Sequence, residues 1–290
     1  MNAQIAPTIS MSVWAQARRR FLANRAAVVG LILLTIITLL AIFIPLVWPH
    51  SLDEGSLANL GQAPSFADFH WFGTDANGRD LFVRVFYGAR ISLAIGLIAT
   101  LIALTIGVIY GATAGYAGGT TDLIMMRIVD VLYALPLLFL IIVLVTILGN
   151  NIFLIFAAIG AVEWLTVARI VRGQTISIKN REYIEAARAI DLPTSRIIRR
   201  YIIPNAIGPV IVYATLLIPI NIIVESSLSF LGLGVQEPLT SWGLLINQGA
   251  SQLDSAPWVL AFPATLLAVT MLSFNYVGDG LRDALDPRQR

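Results

Sequence analysis

ARIVRGQTISIKNREYIEAARAIDLPTSRIIRRYIIPN, residues 168–205, is a hydrophilic segment too long for a mere connector, standing between two apolar runs. It carries eight basic residues: Arg169, Arg172, Lys179, Arg181, Arg188, Arg196, Arg199 and Arg200. The stretch 183–190 has helical composition, Asp191-Leu192-Pro193 breaks it, and a second short amphipathic stretch runs up to Pro204. Two short helices with a bend are expected. On the first, Ala186 and Ala187 present small side chains beside Glu185, a surface on which another protein could pack closely while a carboxylate fixes its orientation. The same composition also suits a solvated basic loop that merely obeys membrane topology.

The flanking apolar runs cover 152–168 and 206–230, and four more cover 26–47, 91–115, 123–148 and 257–277. Each approaches the roughly 20 residues that a helix needs to cross a bilayer. Over 290 residues the chain is 57% hydrophobic and only 12% charged, with a mean hydropathy of +0.80; soluble domains carry about 25% charge. The predicted fold class is therefore all-α: a polytopic membrane protein with six transmembrane helices. The first run follows Arg18, Arg19, Arg20 and Arg25 but is too long for a signal sequence and leads into Trp48-Pro49-His50 instead of a small-residue cleavage site. It reads as an uncleaved span. The run 206–230 is interrupted by Pro209, Pro219, Asn221 and Glu225, so a kink is expected there.

If the first helix starts in the cytoplasm, only Arg79, Arg84 and Arg90 of the 19 basic residues fall on the outer side, and the outer loop 231–256 has none. The positive-inside rule then places both termini in the cytoplasm. The resulting organisation is a cytoplasmic tail (1–25), the first span (26–47), an extracytoplasmic loop (48–90), a core with five further spans (91–279) and a cytoplasmic tail (280–290). The core includes a cytoplasmic loop (169–205) and an extracytoplasmic loop (231–256).

Several chemistries drop out. With no cysteine there is no disulfide framework or thiolate site, and a net charge of +2 is too small to suggest nucleic acid. A phosphate-binding P-loop needs Gly-Lys, yet the single lysine, Lys179, follows Ile178; the nucleophile pattern G-x-S-x-G is also absent. The two histidines, His50 and His70, share the outer loop without metal-ligand spacing, so no metal site is expected. In that loop Leu81, Phe82, Val85 and Phe86 recur at helical spacing among Arg79, Asp80, Arg84 and Arg90, which predicts an amphipathic anchor helix on the membrane surface.

Three acids fall within spans, where a charge is costly: Asp130, Glu163 and Glu225. Asp130 lies three residues after Arg127, close enough for an intrahelical ion pair. Glu163 suits either an interhelical hydrogen bond or the wall of a translocation pathway. Glu225 shares a helical face with Asn221 in the proline-interrupted span, and this pair is a further pathway candidate. An ion-driven secondary transporter could use the acids as a relay, but it would not need a partner-binding loop such as 169–205.

The run EAARAID followed by IIP (Ile202, Ile203, Pro204) resembles the EAA loop of ATP-binding-cassette importer permeases, with Glu185, Ala186, Ala187, Ile202 and Pro204 on motif positions and Asp191 in place of the motif glycine. FGTDANGRDLFVRV (72–85), SFLGLGVQEPLTSWG (229–243) and FNYVGDGLRDALDPR (274–288) are similar to the C-type permease of peptide importers, and ARRRFLANRAAV (17–28) and 168–174 look closest to the oligopeptide branch. Dipeptide, nickel and peptide-antibiotic importers share most of these motifs. The resemblance implies the type I permease fold in a bacterial inner membrane. It also implies a second permease subunit, two ATPase subunits on the cytoplasmic loops, and an extracytoplasmic binding protein. ATP and Mg would be bound by the ATPases, leaving this chain without a cofactor. By the same resemblance the first short helix is the coupling helix, with Glu185 orienting it and Ala186 and Ala187 packing in a groove of the ATPase. At Asp191 two roles stay open: a left-handed backbone turn that the motif glycine would otherwise supply, or a contact with a cation on the ATPase.

Overall fold

The structure is a computed structural model that describes residues 13–148 and 151–285; the outer parts of both predicted tails lie outside the described residues. Helices dominate, and among the described residues the extended backbone amounts to two isolated bridges, Ser65 with His70 and Thr74 with Asp80. Helix α1 (Val13–Ala23) precedes α2 (Arg25–Val47), whose start is capped by the Asn24 side chain accepting from the Ala27 N–H at 3.2 Å. The remaining helices are α3 (Leu81–Ala117), α4 (Gly119–Tyr133), α5 (Leu137–Leu148), α6 (Ile152–Ile178), α7 (Glu182–Ala189), α8 (Thr194–Ile197), α9 (Ile203–Phe230), α10 (Trp242–Ala250) and α11 (Trp258–Leu285). A π-helical turn at Ile198–Ile202 joins α8 to α9.

Five of these helical segments are long and apolar enough to cross a bilayer, with α8, the π turn and α9 counted as one. A sixth crossing results if α4 and α5 form one span, and these meet at an 84° bend. The bend follows from Pro136, which has no N–H to continue the ladder and disfavours helical backbone in Leu135 before it. Pro209 and Pro219 do not break α9, which runs through both.

Two expectations change. The helix predicted on the membrane surface is instead the start of α3: Asp80 caps it by accepting from the Val83 N–H at 2.9 Å, and the helix continues without a break into the span. Leu81, Phe82, Val85, Phe86 and even Arg84 are buried; Arg84 pairs with Asp75, nine residues before it, and with Glu237 in a distant loop. Asp130 pairs with Arg169 of α6, with Nη2 at 2.8 Å from Oδ1, and not with Arg127 as the i,i+3 spacing suggested. Helix α6 runs ten residues past its apolar run, carrying Arg169 and Arg172 to acids of α4; Arg172 donates to both oxygens of Asp122 at 2.6 and 2.7 Å.

The packing centre is the crossing of α3 and α6. Gly107, Gly111 and Gly115 recur every fourth residue of α3 and sit on the backbone and short side chains of Trp164, Val167, Ala168, Arg172 and Thr175 of α6. Gly160 of α6 returns the contact against Ala99 and Ile102. In a bilayer, where the lipid is as apolar as the side chains, close helix approach over small residues is a main source of association. Many outward residues of α2, including Leu31, Ile32, Ile36, Leu39 and Phe43, are exposed in the isolated chain, as a lipid-facing helix requires.

Candidate functional site

The loop that connects α6 to α9 is pinned at its start. Lys179 closes α6 through its N–H to the Thr175 carbonyl at 2.9 Å, and its Nζ donates to the Gly115 carbonyl at the end of α3 at 3.0 Å. Glu182 and Glu185 occupy the first turn of α7, where a negative charge is favourable against the helix dipole. The helix is fixed by one face: Ile184 and Ala187 are buried in a cluster with Val171, Ile178, Ile197, Ile202 and Leu217. Tyr183, Glu185, Ala186, Ala189 and Ile190 are exposed, Ile190 by 71%. Arg188 turns back over the Tyr116 ring, 5.2 Å from its centroid, and its Nε donates to the Tyr116 hydroxyl at 3.3 Å.

Helix α7 ends in a Schellman turn. The Leu192 N–H donates to the Ala187 carbonyl at 3.2 Å and the Asp191 N–H to the Arg188 carbonyl at 2.9 Å, while Asp191 takes a positive φ of 53°. Leu192 packs on the cluster that buries Ala187, supplying the apolar contact of that motif. Pro193 then stands at the start of α8, and its carbonyl accepts from the Arg196 N–H at 2.8 Å. Ile202 is buried, whereas Pro204 is exposed, two residues after the π-helical turn ends. The exposed small-residue surface thus consists of Ala186 and Ala189. Ala187 packs inward, because it lies three positions after Ile184 on the buried stripe.

The proposed pathway residues lie elsewhere. Asn221 and Glu225 are fully buried between α3, α9 and α10. The Glu225 carboxylate accepts from Ser92 Oγ at 3.1 Å and Ser229 Oγ at 2.6 Å. Ser92 Oγ in turn accepts from the Trp242 N–H at 3.2 Å, and Ser229 Oγ from the Val235 N–H at 3.1 Å. Asn221 Nδ2 donates to Thr100 Oγ1 at 2.9 Å, leaving its Oδ1 without a protein partner among the described residues. Neither side chain reaches a surface of this chain. Glu163 of α6, 8% exposed, lies near Tyr213 of α9.

A charged knot without a local sequence signature joins the segment before α3 to the loop between α9 and α10. The Asp75 carboxylate accepts from the backbone N–H groups of Asn77 (2.8 Å) and Arg79 (2.9 Å), from Arg79 Nε (2.8 Å) and from Arg84. Across the structure, Glu237 Oε1 accepts from Arg79 Nη2 and Gln248 Nε2, both at 2.9 Å, and from Arg84 Nη2 at 3.4 Å. The Arg79 hydrogen bond, outweighing partial burial and helped by Gln248 and the arginine charges, holds the Glu237 carboxyl down at about 2. No local signal links residues 158 positions apart; only the excess of buried charge in an apolar chain hints at it. Near this knot His70 Nδ1 lies 2.8 Å from Asp80 Oδ2.

A family model described as "Binding-protein-dependent transport system inner membrane component" matches residues 103–290, which include the whole loop from α6 to α9. The chain belongs to that family. A second model, the N-terminal TM domain of oligopeptide transport permease C, matches residues 12–64 of this family member. Among full-length relatives, the oligopeptide transport system permease protein OppC of Haemophilus influenzae is 51% identical over 279 residues, covering 96% of this chain and 90% of the relative. OppC of Escherichia coli is 52% identical over 279 residues, with 96% and 92% covered. The dipeptide transport system permease protein DppC of Bacillus subtilis is 48% identical over 282 residues, with 97% and 88% covered. The chain is thus an inner-membrane transport component with multiple membrane-crossing helices.

Proposed function

We propose that this chain is one of two permease subunits of an ATP-driven importer that carries oligopeptides or dipeptides into the cytoplasm. The observation that carries the reading is α7: an eight-residue helix on a loop between two spans, anchored inward by Ile184 and Ala187 and presenting Tyr183, Glu185, Ala186 and Ile190 outward. A partner-binding face of this kind suits a chain without a P-loop of its own, whose energy comes from ATP and Mg bound by two ATPase subunits. Asp191 ends the helix, and Ile202 and Pro204 hold its return into α9. Both termini lie in the cytoplasm, following the distribution of basic residues. A second permease completes the pathway, and an extracytoplasmic binding protein delivers peptide. Glu163 is the candidate for the pathway wall. Asn221 and Glu225, which brace α3 against α9 and α10, are the further candidates.

Glu185→Lys tests the reading, because it reverses charge at the exposed face within a loop already rich in cations. ATP-driven uptake of a labelled peptide into proteoliposomes should be abolished, while insertion and pairing with the second permease persist. Normal uptake with normal ATPase stimulation in the variant would remove the coupling assignment.

A further inference from the structure

His50, His70 and Asp80 come from three separate points of the outer segment: the turn after α2, the 65–70 bridge and the cap of α3. Each offers one ligand atom, and those atoms lie within 4.8 Å of one another. Asp80 and His70 are buried and His50 is half-buried. The two imidazoles stack, with centroids 4.3 Å apart and planes 19° from parallel. His50 Nε2 lies 3.1 Å from the Asp68 carbonyl, and His70 Nε2 lies 3.3 Å from Asn59 Nδ2.

Charge makes the cluster unusual. Arg79 and Arg84, the cations nearest in sequence, have their hydrogen bonds to Asp75, Glu237 and Gln248, not to Asp80. The buried Asp80 carboxylate is met by the Val83 N–H on Oδ1 and by His70 on Oδ2. A carboxylate has about four lone-pair positions, so the cap and a further ligand bond are compatible. Two imidazole nitrogens with one carboxylate oxygen form a donor set suited to zinc and poorly suited to magnesium or calcium, which take oxygen ligands.

We propose that His50, His70 and Asp80 form a site for one divalent transition-metal ion of the zinc class on the extracytoplasmic side. His50 turns from its stacked position to present a ring nitrogen edge-on, a rotamer change open to a half-buried residue on a turn. Water fills the remaining position of a tetrahedral ion. The ion neutralises the buried carboxylate and ties the end of α2 to the start of α3, closing the segment 50–80 that carries Asp75 and Arg79. Its role is to stiffen the outer segment; no bond of a substrate is made or broken.

The test uses the intact transporter, purified in detergent and stripped with a chelator, titrated with Zn2+ by calorimetry and followed by thermal unfolding. Wild type should bind one Zn2+ per copy of this chain that is missing from His50→Ala, and Zn2+ should raise its unfolding temperature; Mg2+ should do neither. His50→Gln, which keeps a polar side chain of similar reach toward Asp68, guards against misfolding and should lower Zn2+ affinity by at least about tenfold, the scale on which metal sites respond to lost partners. Equal Zn2+ binding and equal thermal shift in wild type and His50→Gln, or no saturable binding in wild type, would overturn the site.

Discussion

Asp191→Val should disconnect α7 from the rest of the loop, and the size of the effect follows from one dihedral. At φ 53° Asp191 occupies the left-handed region, which costs an L-residue about 1–2 kcal/mol, with Asp and Asn at the lower end because short polar side chains tolerate it. Glycine escapes the penalty, and a β-branched side chain pays the most. Asp191→Gly should therefore leave the turn as stable or up to about 1 kcal/mol more so. Asp191→Val should cost about 2 kcal/mol, near a thirtyfold shift away from the turn. The Asp191 and Leu192 amides, bonded to Arg188 and Ala187, report that shift directly: their hydrogen-exchange protection should fall about thirtyfold in Asp191→Val and hold in Asp191→Gly and Asp191→Asn. ATP-driven uptake should follow the same order. If Asp191→Gly and Asp191→Asn both uncouple hydrolysis from uptake while protection is intact, the carboxylate acts by its charge on a partner and the backbone account fails.

A β-carbon at Gly107 would come within 2.5 Å of Val167 Cβ and 2.9 Å of the Trp164 carbonyl, so Gly107→Val should push α3 from α6 and lower stability by about 1–3 kcal/mol, whereas Gly173→Ala, with nothing within 4 Å, should be silent in the same detergent melts. Because Glu237 titrates in the folded chain at about 2, below its ordinary 4.5, its pairing stabilises the fold above pH 4.5 and that contribution fades as pH falls from 4.5 toward 2. Glu237→Gln should flatten the loss of unfolding temperature across that window, and salt should shrink the difference because the side chain is 44% exposed; identical pH slopes would show that the pairing contributes nothing.

The spans were legible because an uninterrupted apolar run of about 20 residues matches the thickness of a bilayer and is too long for an ordinary core helix. The bend after α7 was legible because Asp191-Leu192-Pro193 is a local stop signal. Errors cluster where a charge has a distant partner. Arg84 looked solvent-facing until Asp75 and Glu237 enclosed it, which moved the start of α3; Arg169 and Arg172 looked like the end of a span until Asp130 and Asp122 of α4 met them. Local periodicity carries no information about such pairs. The surroundings of Glu225 were hidden for the same reason: the serines that enclose its carboxylate come from α3, α9 and the residue before α10, and a sequence window sees only one helix at a time.

The glycine contacts between α3 and α6 fix where the subunit is stiff. With backbone resting on short side chains there is little deformable layer between the two helices, and α3 alone, at 37 residues, is about 55 Å long. The pair behaves as a beam, loaded at one end through Lys179 on Gly115 and ending at the other beside Asp80. Its compliance has to sit in the joints: the π-helical turn at Ile198–Ile202 and the 84° bend between α4 and α5. A displacement of α7 would therefore reach the loops at the far end of α3 as a tilt of the whole beam, with its amplitude set by leverage and not by a chain of side-chain rearrangements.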